Sequence, residues 1–195
     1  MIGSVVSVGY EGRGVEDLLA SLQRHQVDVM VDVRLTPLSR KPGLSKTALA
    51  ATLGTHGIRY LHLRALGNPK DNRALLRSGD RSSRDRFTAL LRTGEGAQAL
   101  RDVAELLQTQ TVALLCFERH HEQCHRQLIV DELRRAIPAL HLVTVTRHRS
   151  ALAVSACAVY MRRPPVDHAC WRHLFEQLPH TRPVQRDRPD QLGTR

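Results

Sequence analysis

The run Val112-Ala-Leu-Leu-Cys116-Phe-Glu118, followed by a polar loop, Cys124-His125-Arg126 and then Gln-Leu-Ile-Val-Asp-Glu-Leu133, restricts the fold more than any other part of the chain. Four consecutive apolar residues, Val112 to Leu115, suit a strand buried on both faces, and such strands belong to parallel sheets covered by helices. Ile129, Leu133, Ala136 and Ile137 then recur at helical spacing, and Pro138 closes the helix. Cys116 and Glu118 therefore fall at or just past a strand's carboxyl end. Cys124, His125 and Arg126 fall in the first turn of a helix, where free N–H groups and the positive end of the dipole favour an anion or a thiolate. A hydrophobic core has no need of two thiols, a carboxylate, an imidazole and a guanidinium at one junction.

The same alternation runs through the preceding chain. Val5 to Tyr10 reads as a strand, Val15, Leu18, Leu19 and Leu22 as a helix, and Val27 to Arg34 as a second strand with Val27, Val29, Val31 and Val33 on one face. Ser45 is the expected N-cap of the next helix, with Leu44 packing on Leu49 as a hydrophobic staple. Ile58 to Leu63 is a third strand. The stretch from about Gly67 to Arg86 mixes Arg and Lys with Gly, Asn, Pro, Asp and Ser and reads as a mobile basic loop. Phe87, Leu90 and Leu91, then Leu100, Val103, Ala104 and Leu107, give one broken or two short helices, and Leu142 to Val145 is a fifth strand. Strands separated by helical patterns imply parallel pairing through crossovers. The expected fold is a three-layer, Rossmann-like α/β domain over residues 1–150, with a mostly parallel sheet of about five strands and helices on both faces. Residues 151–195 are expected to be a short, partly disordered C-terminal extension, with an extra strand at Val154 to Met161, a short helix at Cys170 to Leu178 and a disordered Pro- and Arg-containing tail from Pro179.

Several ordered blocks carry a family resemblance: Val8-Gly9-Tyr10-Glu11-Gly12-Arg13, Val31-Asp32-Val33-Arg34-x-x-Pro37-x-Ser39-Arg40, Gly43-Leu44-Ser45, Gly57-Ile58-Arg59-Tyr60, Leu66-Gly67, and the Cys-x-Glu and Cys-His-Arg elements around the fourth strand. Over roughly residues 4 to 148 this pattern resembles the bacterial and archaeal domain-of-unknown-function family numbered 488. The resemblance implies a fold and a site at these blocks; the family is named for having no assigned activity, so it implies no reaction.

Composition bounds the rest. A chain of 195 residues with 42% hydrophobic content buries a sizeable core. No apolar run approaches the ~20 residues that span a bilayer, and no leader pattern precedes the first strand, so the expected location is the cytoplasm, without a membrane. Cys116, Cys124, Cys157 and Cys170 do not form a secreted disulfide framework and are expected as thiols. The net charge of +10 comes from 26 Arg and only 3 Lys, which fits either an acidic partner or a solvated basic surface. Aromatic content of 4% leaves few stacking platforms for single-stranded nucleic acid.

In open parallel sheets ligands bind outside the carboxyl ends of the strands. Tyr10 and Arg13 follow strand one; Asp32, Arg34, Ser39 and Arg40 end or follow strand two; Cys116 and Glu118 end or follow strand four. Glu118, Cys124, His125 and Asp32 are the catalytic candidates, with Glu118 as acid or base and Cys124 as nucleophile or helix-terminal donor. Tyr10, Arg13, Arg34, Ser39, Arg40 and Arg126 are the binding candidates. Asp32 with Arg34 also reads as a plain ion pair, and Arg126 as a partner of Glu118. The Gly-rich segment from Gly9 to Gly14 matches neither the dinucleotide fingerprint nor the P-loop. Cys116, Cys124 and His125 lack paired-clamp zinc spacing and an evident fourth ligand, so no metal and no cofactor is assigned. The favoured reading is a small enzyme acting on a phosphate-bearing substrate, a nucleotide or nucleic acid. The alternatives are a non-catalytic nucleic-acid or nucleotide-binding module and a thiol-based redox or sulfur-transfer protein.

Overall fold

The structure, a computed structural model, describes residues 3–145. The expected extension from residue 151, with its strand and helix, lies outside the described residues, as do Cys157 and Cys170. The elements are β1 (Ser4–Gly9), α1 (Val15–Arg24), β2 (Val29–Asp32), α2 (Lys46–Thr55), β3 (Arg59–His62), α3 (Arg73–Arg77), α4 (Arg81–Arg92), α5 (Gly94–Leu106), β4 (Val112–Cys116), α6 (Arg126–Ala136) and β5 (His141–Thr144). All four strand pairings are parallel, in the order β3-β2-β4-β1-β5. This is the three-layer α/β architecture that the alternating pattern implied.

Strand residues alternate between two apolar clusters, one on each face of the sheet. Val6, Val8, Met30, Ala113 and Leu115 pack under α1 and α2 with Leu18, Leu22, Leu49 and Leu53. Val5, Val29, Val31, Val112 and Leu114 pack under α3 to α6 with Leu76, Phe87, Leu91, Val103, Ile129 and Leu133. Val27, expected on the Val29 face, precedes the strand and belongs to the α1 side. Leu44 and Leu49 are both fully buried, as the staple requires, and Ser45 is the N-cap of α2, although its hydroxyl makes no cap hydrogen bond.

The expected basic loop over 67–86 is instead mostly helical. Two single 3-10 turns lead into α3, and α4 begins at Arg81 with Asp80 accepting a hydrogen bond from the Ser83 amide at 2.8 Å. The buried face of α4 is Ser83, Phe87 and Leu91, so its first core position is a hydroxyl and carries no apolar signal. That hydroxyl donates to Asn72 Oδ1 (2.8 Å), and Asn72 Nδ2 donates to Asn68 Oδ1 (2.9 Å). A buried polar network replaces the apolar contacts that would have marked the segment in the sequence. Over 87–107, where one broken or two short helices are expected, the chain forms the remainder of α4 and then α5.

Candidate functional site

Because the chain leaves β1 and β2 toward one face and β4 toward the other, the backbone parts on either side of β4's carboxyl end, and a cleft opens there. The cleft is about 270 Å³ and is lined by Tyr10 after β1, Arg34 after β2, Cys116 and Glu118 from β4, Cys124 and His125 before α6, and Arg73 and Arg77 from α3. A second depression of about 210 Å³ shares Arg77, Glu118 and Gln123 with it and adds Glu11 and Arg119. The walls are tied together by backbone: Glu11 N donates to Phe117 O (2.9 Å), and the Glu11 carboxylate accepts from the Arg119 amide (3.0 Å). Gly9 permits this closeness, since a Cβ there would overlap the Glu118 carbonyl.

The first of two polar clusters sits on the α1 and α2 side. Asp32 is fully buried and accepts from Arg34 Nε at 2.8 Å and from the Tyr60 hydroxyl at 2.6 Å. Arg34 spends its remaining donors on the Tyr10 hydroxyl (3.2 Å) and the Leu44 carbonyl (2.9 Å). Burial disfavours the Arg34 charge, but the bonded Asp32 carboxylate outweighs this and raises its pKa; burial and the bond to Asp32 likewise push the Tyr60 phenol up. Arg34 and Tyr10 line the cleft, with Arg34 held by its bonds to Asp32, Leu44 and Tyr10, while Asp32 is fully buried. The Tyr10 ring meets Phe117 edge-on at 5.4 Å.

The second cluster lies at the junction between β4 and α6. Arg126 is the first helical residue, His125 the N-cap, and Cys124 sits in the turn before, its own amide bonded to the His121 carbonyl. The thiols, the imidazole and the carboxylate converge: Cys116 Sγ lies 2.9 Å from Glu118 Oε2 and 3.8 Å from His125 Nδ1, and Cys124 Sγ lies 3.4 Å and 3.6 Å from the same two atoms. His125 Nε2 is bonded to the Val33 carbonyl at 3.0 Å, which fixes the proton there and turns Nδ1 to the sulfurs; Phe87 meets the ring edge-on and holds its plane. Arg126, with 0% exposure, donates from Nε to Cys124 Sγ (3.2 Å) and from Nη2 to the Glu118 carbonyl, while Nη1 has no hydrogen-bond partner among the described residues.

The thiols divide their charge unevenly. Burial disfavours a Cys124 thiolate, but the Cys116 S–H, the His125 imidazole and the Arg126 guanidinium together hold its pKa well below the ordinary thiol range. The hydrogen bond to Cys124, burial and the two neighbouring anions push Cys116 up. Burial works against protonation of His125, and the Cys124 charge overrides it, raising its pKa.

Other expected site residues lie elsewhere. Arg13 is buried against the Val145 carbonyl (3.1 Å) and the Ser21 hydroxyl on the α1 side, and Ser39 accepts from the Lys41 amide in the loop after β2, where Arg40 is exposed. None of the three lines the cleft. Arg73 and Arg77 supply its basic rim instead: Arg77, 55% exposed, bridges to Glu118 Oε1 at 3.2 Å. Reading 67–86 as a loop concealed them; the buried Leu76 beside Arg77 was the available sign of a docked turn. Phe117 and Leu38, both exposed, also line the cleft.

Among the described residues no helix is long and apolar enough to cross a membrane. A family model described as "Domain of unknown function DUF488" matches residues 14–133, well over half of the chain. No curated protein and no solved structure matches.

Proposed function

The chain belongs to the DUF488 family, and from that premise we propose that it is a small enzyme acting on a phosphate-bearing substrate of the nucleotide class, bound in the cleft at the carboxyl end of β4. The observation that carries this is the joint lining of one cleft by Arg73 and Arg77, by the exposed Phe117 ring, and by the Cys116–Glu118–Cys124–His125 cluster. Guanidinium groups suit phosphate, an exposed ring suits the face of a base, and a carboxylate beside thiols and an imidazole suits proton handling. At about 270 Å³ the cleft takes a ligand at the small end of the usual range, and the depression beyond Glu118 extends it for a longer one.

In this reading Arg77 and Arg73 hold the anion and Glu118 moves a proton, since it is the member of the cluster with accessible surface, at 17% for its side chain. Asp32, Arg34 and Tyr10 are positioning residues: their bonds to each other leave them stiff rather than reactive. Arg126 positions Cys124 and the Glu118 backbone from below.

A thermal-shift screen with inorganic phosphate, nucleotides, sugar phosphates and short oligonucleotides tests the binding half, because a ligand that binds only the folded state raises Tm by mass action. Nucleotides are expected to give the largest shifts, reduced by Arg77→Ala and Arg73→Ala. Hits incubated with the protein and followed by mass spectrometry test the chemical half. Product formed by the wild type and lost in Glu118→Gln with binding retained supports an enzyme; binding without any product in the wild type supports the non-catalytic module. A screen in which no phosphate-bearing ligand shifts Tm overturns the reading.

A further inference from the structure

The geometry points to a zinc-class divalent metal site formed by Cys116, Cys124, His125 and Glu118. The four ligand atoms, two sulfurs, Nδ1 and a carboxylate oxygen, all lie within 4.8 Å of one another. A tetrahedral zinc with bonds of about 2.3 Å to sulfur and about 2.0 to 2.1 Å to nitrogen or oxygen sets its ligand atoms roughly 3.3 to 3.8 Å apart. Three of the cluster's separations, 3.4, 3.6 and 3.8 Å, meet that spacing. The shortest, 2.9 Å between Cys116 Sγ and Glu118 Oε2, is a hydrogen bond whose proton leaves to solvent as the metal enters.

The surroundings favour a cation as well. His125 gives Nε2–H to the Val33 carbonyl, the outer contact that orients a ligating imidazole and leaves Nδ1 free to bind. Arg126 Nε–H on Cys124 Sγ does the same for the thiolate. Two thiolates and one carboxylate bring three negative charges; the metal and the buried Arg126 guanidinium balance them. Two sulfurs with an imidazole select zinc over hard cations such as magnesium or calcium. All four line the cleft, but Cys116, Cys124 and His125 are buried whereas the Glu118 side chain keeps 17% exposure, so the carboxylate is the corner that water or substrate can replace. The sequence offered Cys116, Cys124 and His125 but neither a paired clamp nor the fourth donor, which Glu118 supplies only once the chain is folded.

This site is independent of which substrate the cleft takes, and it is tested without one. Chelator-stripped full-length protein is titrated with zinc against a chromophoric competitor, and with cobalt, read by sulfur-to-cobalt charge-transfer absorption. Expected are one equivalent of tightly held zinc, a rise in Tm on adding it, and thiolate-to-cobalt absorption. Cys116→Ser and Cys124→Ser are each expected to lower zinc affinity at least about 100-fold, with circular dichroism confirming the fold. Should either fail to fold, Glu118→Gln at the exposed corner is expected to weaken zinc by about tenfold or more and to change the cobalt spectrum. A Cys157→Ser, Cys170→Ser double variant and a His120→Asn variant are expected to bind like the wild type. No stoichiometric zinc in the wild type overturns the assignment. So does binding that survives Cys124→Ser in a folded protein, or that disappears on changing His120, Cys157 or Cys170.

Discussion

Asp32 and Arg34, two residues apart at the end of β2, form a bidentate ion pair with side-chain exposures of 0% and 5%, and the Tyr60 hydroxyl from β3 donates a further hydrogen bond to the same carboxylate. Removing one member of a buried pair strands the other charge, which costs about 3 to 5 kcal/mol. Asp32→Asn is therefore expected to lower unfolding stability by roughly that amount, measured by urea denaturation. The Asp32→Leu, Arg34→Met double variant is expected to recover part of the loss. Equal urea midpoints for wild type and Asp32→Asn would show that the pair does not carry the β2 terminus.

Gly9→Ala places a methyl group against the Glu118 carbonyl, the atom that also accepts from Arg126. Both are backbone or buried groups with little room to give, so a loss of about 1 to 3 kcal/mol is expected, with weaker binding in the cleft as the β4 loop shifts. Gly54, exposed in α2 with open space at its Cβ position, gives the opposite expectation. Gly54→Ala should stabilise by roughly 0.5 to 1 kcal/mol. Thermal denaturation of both variants checks the sign of each.

His121 is buried beside Ser7, with Nδ1 2.8 Å from the hydroxyl. Burial first, and the Arg126 charge second, lower its pKa below 6.5. A group depressed in the folded state contributes stability above its unfolded pKa, and that contribution is lost as pH falls and only the unfolded chain takes up the proton. The stability advantage of wild type over His121→Asn is thus expected to shrink below about pH 6.5. Denaturation midpoints from pH 8 to 5 read this directly; an advantage that grows on acidification contradicts the sign.

The net charge of +10 and the arginines of α3 and α4 lead to an expectation of weak, sequence-independent nucleic-acid binding that falls steeply with salt, because phosphate contacts release counterions. Fluorescence anisotropy with duplex and single-stranded oligonucleotides from low to physiological salt checks it. Arg73→Ala and Arg77→Ala should each flatten the salt dependence. Absence of binding at low salt would leave the charge as a solvated surface.

The sequence by itself determined the layered α/β plan, because strand and helix periods depend only on neighbouring residues and each apolar run had to be buried. Val112 to Leu115 and the Ile129 to Ile137 face were legible for that reason, and so was the arrival of Cys116, Glu118, Cys124 and His125 near one strand end. Tertiary structure alone decided which side chains remained available. Arg13, Arg34 and Arg126 are equivalent basic candidates in one dimension; in the fold they donate to the Val145 carbonyl, to Asp32 in the ion pair that the Asp32 and Arg34 spacing also allowed, and to Cys124 Sγ, while Arg73 and Arg77 came to the rim on a turn held by Asn68, Asn72 and Ser83. The fourth donor of the thiol cluster was hidden for the same reason: that Glu118 Oε2 meets both sulfurs depends on the loop path fixed by Gly9, Glu11 and Arg126, and spacing along a chain carries no information about such a path.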